Sequence, residues 1–137
     1  MGFDLKPNRK SNGPFHMGAF SWHWMLDAGV GLPLGYGQGI KPAQFVFRER
    51  KDGLCVGYND GARVSAKEAR QMAQLANWVA DYQDIKRSVF ERMPENERSE
   101  VEKDHLRVYS QPVREDFVKL ARSFAEWAVK SGGFRVF

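Results

Sequence analysis

The segment Val64-Ser65-Ala-Lys-Glu68 constrains this chain more tightly than any other. It spells a capping box. The Ser65 hydroxyl can accept the Glu68 amide while the Glu68 carboxylate reaches back to the Ser65 amide, so a helix must start here. Val64, just before the cap, can staple onto Ala69. From there Ala69, Met72, Ala73, Ala76, Val79 and Ala80 recur at helical spacing, joined by Leu75, Tyr82, Val89 and Phe90. The stripe predicts a helix running to about Met93, where Pro94 stops it. A second periodic run, Phe117, Leu120, Ala121, Phe124, Ala125 and Ala128, predicts a core helix. Pro112 suits its first position and Gly132 the left-handed residue after its end. Between the two, residues 95–107 are strongly charged and read as a solvent-facing helix held by i,i+4 ion pairs.

The remaining segments are shorter. Residues 3–5 and 134–137, at opposite ends of the chain, are brief and apolar, and are expected to pair as neighbouring strands. Residues 15–28 are apolar almost all round and read as a helix buried on most faces. Residues 29–42 hold five glycines and two prolines, a long irregular loop. Residues 44–50 and 54–58 read as two strands, with Phe45 and Phe47 on one face, joined by a Lys51-Asp52-Gly53 turn. Asn59-Asp60-Gly61 makes another turn. The fold class that results is α+β: mainly helical, about four helices, with a small antiparallel sheet, in a single domain spanning residues 1–137. Apolar residues make up 42% of the chain and aromatics 13%. That suffices for a core without disulfides or a structural metal.

Composition narrows the setting. Cys55 is the only cysteine, so no intrachain disulfide can form, which favours a reducing compartment such as a bacterial host cytoplasm. No apolar run has the length of a signal segment or a membrane span. The net charge of +4 is dispersed. Lys6, Arg9 and Lys10 form the one local cluster of cations, beside Asp4. Nucleic-acid binding through them is a third-ranked reading, behind a small ligand and a protein partner.

The segment from Gly13 to Leu26 holds two of the four tryptophans and two of the three histidines. Phe20, Trp22, His23 and Trp24, with His16, either fill a core or line a pocket that stacks on a planar ligand. A base stacked on an aromatic ring is worth about 1–3 kcal/mol. On a helix, His16 and His23 would be two turns apart, about 10 Å, too far to share one metal ion, so no metal site is assigned. Cys55 reads as a small buried hydrophobe. Gly35-Tyr-Gly-Gln-Gly39 lacks the Lys-Ser/Thr of a phosphate loop. The second candidate cluster is Asn59, Asp60 and Arg63, a polar turn ahead of a helix.

Three motifs together, Gly2-Phe3-Asp4-Leu5, the Asn59-Asp60-Gly61 turn before an alanine-rich helix, and Ser131-Gly132-Gly133-Phe134, resemble a family of small uncharacterised proteins from bacteriophages and mobile elements. The usual tryptophan-rich stretch of that family has consecutive tryptophans followed by Arg-Pro; here it is Ser21-Trp22-His23-Trp24-Met25. The resemblance implies no catalytic residues and no cofactor. The size class, by analogy with small phage proteins that sequester immune nucleotide signals, and the aromatic segment favour an accessory protein that binds and sequesters a small nucleotide-like molecule, a host immune signal, in an anti-defence role. The alternative is a protein-interaction module that inhibits a host defence enzyme. A small hydrolase with His16 or His23 as base ranks last. In so short a chain a second copy could complete a binding cleft.

Overall fold

The computed structural model describes residues 2–36, 48–97, 107–108, 111–112 and 115–137. In chain order these give strands β1 (Gly2–Pro7) and β2 (Phe15–Gly18), then helix α1 (Ala19–Met25). A π-helical turn, Leu26–Val30, and a 3-10 turn, Leu32–Leu34, follow. Strand β3 (Ala62–Val64) then leads into the long helix α2 (Ala66–Glu91). A small ladder of β4 (Arg107–Val108) and β5 (Gln111–Pro112) precedes helix α3 (Glu115–Ser131) and strand β6 (Phe134–Val136). The fold is α+β and mainly helical, and the two chain ends pair as predicted.

The main sheet has the order β2-β1-β6-β3, antiparallel throughout. Its first and last strands in sequence are therefore its two central strands. The strands alternate as a half-buried sheet must. Phe3, Leu5, Met17, Ala62, Val64, Phe134 and Val136 point inward and are buried. Asp4, Lys6, His16 and Arg63 point out. The inner face meets α1 and α3. Trp22 is fully buried there, with its ring centroid 6.2 Å from Phe3, 6.1 Å from Phe124 and 6.4 Å from Phe134. Trp127 extends the same aromatic layer, 5.3 Å from Phe134, and its indole donates to the Gly13 carbonyl at 2.7 Å.

The capping box forms as read. Glu68 N donates to Ser65 Oγ at 3.1 Å, and Ser65 N to Glu68 Oε1 at 3.0 Å. Burial alone would push the Glu68 carboxyl up, but the Ser65 amide and the Arg50 guanidinium outweigh it and hold the group below its ordinary value. Ala69, Met72, Ala73, Ala76 and Ala80 are buried on a helix that packs against α3 and the π and 3-10 turns. Arg122 of α3 ties the helices together through Asp81 at 2.8 Å and Asp84 at 2.9 Å. At the end of α3 the left-handed Gly132 and Gly133 turn the chain into β6. Gly133 is obligatory for a second reason: a Cβ there would lie 2.7 Å from the Val64 carbonyl and 2.8 Å from Asn8 Nδ2.

Four expectations need correction. Residues 15–28 are not one helix. Phe15–Gly18 is a strand, because β1 offers an open edge and the Phe15/His16/Met17 alternation matches its pleat; the helix starts only after Gly18, whose backbone is extended. Residues 54–58 are not a strand. Beyond the Glu49–Cys55 bridge the chain turns, with Tyr58 N donating to the Cys55 carbonyl at 3.1 Å, and the Val56 carbonyl is taken by Trp22 Nε1 at 2.8 Å. Pro112 does not open α3. It pairs with Arg107 in the β4–β5 ladder, and the helix begins at Glu115. The apolar stripe of α2 is two stripes, since Tyr82 and Val89 face solvent while the alanines face the core. Part of the 29–42 loop is also ordered as the π and 3-10 turns. Residues 37–47, including Phe45 and Phe47, and 98–106 of the charged segment lie outside the described residues; Arg107, at its end, is in β4.

Candidate ligand-binding face

The structure disperses the aromatic-histidine segment. Trp22 is sealed in the core and its one polar atom is satisfied by Val56, so it cannot stack on a ligand. Trp24 is half-buried and stacks at 6.1 Å on Phe20, which is exposed. His23 is half-buried, edge-on to Phe3 at 5.4 Å, and burial pushes its pKa below the ordinary imidazole value. Its Nδ1 is buried without a hydrogen-bond partner among the described residues. His16 is not on α1 at all: it stands on β2, exposed, paired across the strands with Asp4. The helical spacing argument for the two histidines therefore does not apply.

The second candidate cluster divides as well. Asn59 donates to the Gly2 carbonyl at 2.7 Å, pinning the turn to the start of β1. Asp60 is exposed. Cys55 is buried, and that burial pushes its thiol up, away from the thiolate. Arg63 alone lies where a ligand could approach on a broad front. It is exposed on the outer face of β3, directly opposite Arg135 of β6, which in turn lies opposite Lys6 of β1. Three cations thus stand side by side across three adjacent strands.

Like charges placed directly opposite on a sheet are destabilising. The row is held by specific contacts. Arg135 Nε donates to the Gly61 carbonyl at 3.0 Å. The Phe137 ring lies against two of the three cations, 4.5 Å from Lys6 Nζ and 5.0 Å from Arg135 Cζ. Around the edge of β3, Arg63 also lines a groove of about 740 Å³ with Asn8, Arg50, Lys51, Ser65 and Glu68. Arg50 reaches over this groove, donating to the Arg63 carbonyl at 3.1 Å and pairing with Glu68. Three acidic groups, Glu49, Asp52 and the Arg50-bound Glu68, temper the groove, whereas the sheet row itself has no carboxylate between its cations.

Sequence reasoning singled out Arg63 and Lys6 for different reasons and did not join them. Arg135 and Phe137 were missed as site residues. The signal was present in the alternation of the last strand, but only its pairing with both β1 and β3 brings the charges together. Among the described residues no cluster of three or more His, Cys, Asp or Glu side chains is arranged to hold a metal ion. No helix among them is long and apolar enough to cross a membrane. Comparison of the chain with protein-family models, with curated proteins and with solved structures finds no match.

Proposed function

We propose that this chain is a non-catalytic accessory protein that binds a small phosphate-bearing, nucleotide-like molecule on the outer face of its sheet. The observation that carries the reading is the Lys6–Arg135–Arg63 row. Placing three cations in register costs stability; Gly61 and Phe137 hold the row within the chain, and a bound anion would offset the repulsion that is left. Arginine forks suit phosphate oxygens bidentately. Phe137 gives an apolar edge beside the charges, and the groove beyond Arg63 has room for the rest of a mononucleotide or dinucleotide. In the bacteriophage or mobile-element setting suggested by the terminal motifs, such a protein would sequester a host immune nucleotide in the host cytoplasm.

Calorimetric titration against a panel of cyclic and ADP-ribose-derived nucleotides tests this. Binding is expected at micromolar concentrations, weakened at least tenfold by Arg63→Ala or Arg135→Ala, with the nucleotide recovered unchanged. Absence of heat with every member, well above micromolar concentration, would remove the proposal. A second reading, a protein-contact module that acts on a host defence enzyme, draws its support from a different surface. The outer side of α2 exposes Trp78, Tyr82, Ile85 and Val89, a continuous apolar strip of the kind that marks contact surfaces. Capture of a stoichiometric bacterial protein that is lost on Trp78→Glu would favour it.

A further inference from the structure

The outward apolar residues of α2, half-buried Leu75 and exposed Trp78, Tyr82, Ile85 and Val89, are spaced three and four apart. That is the a/d repeat of a two-heptad coiled-coil seam, about 21 Å long. The residues that α2 buries in its own domain, Ala69, Met72, Ala73, Ala76, Ala80 and Gln83, centre about 150° away around the helix. The helix is therefore apolar on two nearly opposite sides. One side holds the domain together. The other is left to solvent, with Trp78 72%, Tyr82 58%, Ile85 61% and Val89 45% exposed.

We propose that this second side is covered by the same helix of a second copy, the two α2 helices running parallel about a two-fold axis. The inference rests on the reading of the α2 strip as a contact face and names its partner. Two arguments select a copy of this chain. The first is area. With whole aromatic side chains contributing about 150–250 Å², the strip presents on the order of 500 Å² of apolar surface per copy. Two such faces remove on the order of 1,000 Å², the apolar share of a stable interface of about 1,600 Å². The second is charge. One flank of the seam carries Asp81, which with Asp84 shares the single guanidinium of Arg122 and so stays net acidic, and the other carries Lys86. In heptad terms these are g and e positions five residues apart, so a parallel pair sets Asp81 of each copy against Lys86 of the other. An antiparallel pair would set the acidic flank on itself. Lys86 already leans over the seam, its Nζ 4.3 Å from the Tyr82 ring centroid.

Trp78, Tyr82, Ile85 and Val89 are all exposed, so the middle and C-terminal part of the seam is open to a facing helix. The short length of the seam is no obstacle, since α2 is folded by its own domain and pairing carries no helix-nucleation cost. At the N-terminal end of the seam, Leu32 and Pro33 wall a depression of about 390 Å³ with Leu75 and Trp78, the kind of hole a facing side chain fills.

Light scattering on the full chain at 10–100 µM, a range on the order of a moderately stable dimer, is expected to give twice the 15.7 kDa chain mass. The double variant Trp78→Glu, Ile85→Glu should raise the dimer dissociation constant at least 100-fold and keep its helical circular dichroism, because both side chains are exposed. In a Cys55→Ala background, Ile85→Cys should oxidise to a covalent dimer, as symmetric d positions do only in a parallel pair. A wild-type chain that is monomeric at 100 µM, a concentration on the order of a weak complex's Kd, overturns the proposal. So does disulfide formation by a Leu75→Cys, Val89→Cys chain in place of the Ile85→Cys chain. A monomer that still captures another protein through Trp78 overturns self-pairing and leaves the contact-face reading standing.

Discussion

Trp22→Phe tests whether the early tryptophan is architecture or binding site. The indole is fully buried and donates to the Val56 carbonyl at 2.8 Å, fastening α1 to the turn after Cys55. Phenylalanine removes three side-chain atoms. Lost burial and an incompletely filled cavity cost about 2 kcal/mol. The Val56 carbonyl is left buried and unpaired, which costs a further ~1–3 kcal/mol. A loss of about 3 kcal/mol is expected after partial relaxation, a large share of the ~5–15 kcal/mol that holds such a domain. For a chain of this size it lowers Tm by roughly 10 °C. Urea unfolding followed by far-ultraviolet circular dichroism measures it at unchanged slope. Trp24→Phe, half-buried against Phe20, is the control and should cost about 1 kcal/mol or less. A Trp22→Phe loss below about 1 kcal/mol would refute the placement of this ring in the core.

Further outcomes follow from the same structure. Removing residues 134–137 takes away a central strand with two fully buried side chains, Phe134 and Val136, and should abolish the cooperative melting transition; a melting curve within a few degrees of the parent would contradict the sheet order. Ser65→Ala opens the capping box and is expected to cost about 1 kcal/mol in denaturant unfolding. The lowered pKa of His23 means that the unfolded chain binds its proton more readily than the folded one. Stability from this group is therefore complete above the ordinary imidazole pKa and falls as pH drops below it, levelling off beneath the folded value. Melts between pH 5 and 7.5 should show that slope flattened in His23→Gln. The lowered pKa of Glu68 acts in a lower window: its contribution is present above the ordinary carboxylate value and is lost as pH falls through the folded one, so Glu68→Gln should reduce the acid sensitivity of unfolding.

Local chemistry determined much of this protein on its own. The Ser65–Glu68 cap, the alanine face of α2, the Phe117–Ala128 face of α3 and the glycines after it are all short-range signals, in which neighbours in sequence are neighbours in space. The pairing of the two chain ends was legible because both are short apolar segments that need a partner. Residues 15–18 were misread because four residues carry too little periodicity to separate a strand from an apolar helix; the open edge of β1 decides it. Trp22 and Trp24 could not be sorted from sequence, since which indole is sealed depends on Val56, thirty-four residues further along. The cation row is likewise a property of the sheet: Lys6, Arg63 and Arg135 are unremarkable surface charges until β6 pairs between β1 and β3. The seam on α2 was hidden inside a single apolar stripe, because its 3-4 spacing overlaps that of the core face. Only the position of α3 and the π and 3-10 turns against the helix shows which apolar residues this chain buries and which stay exposed.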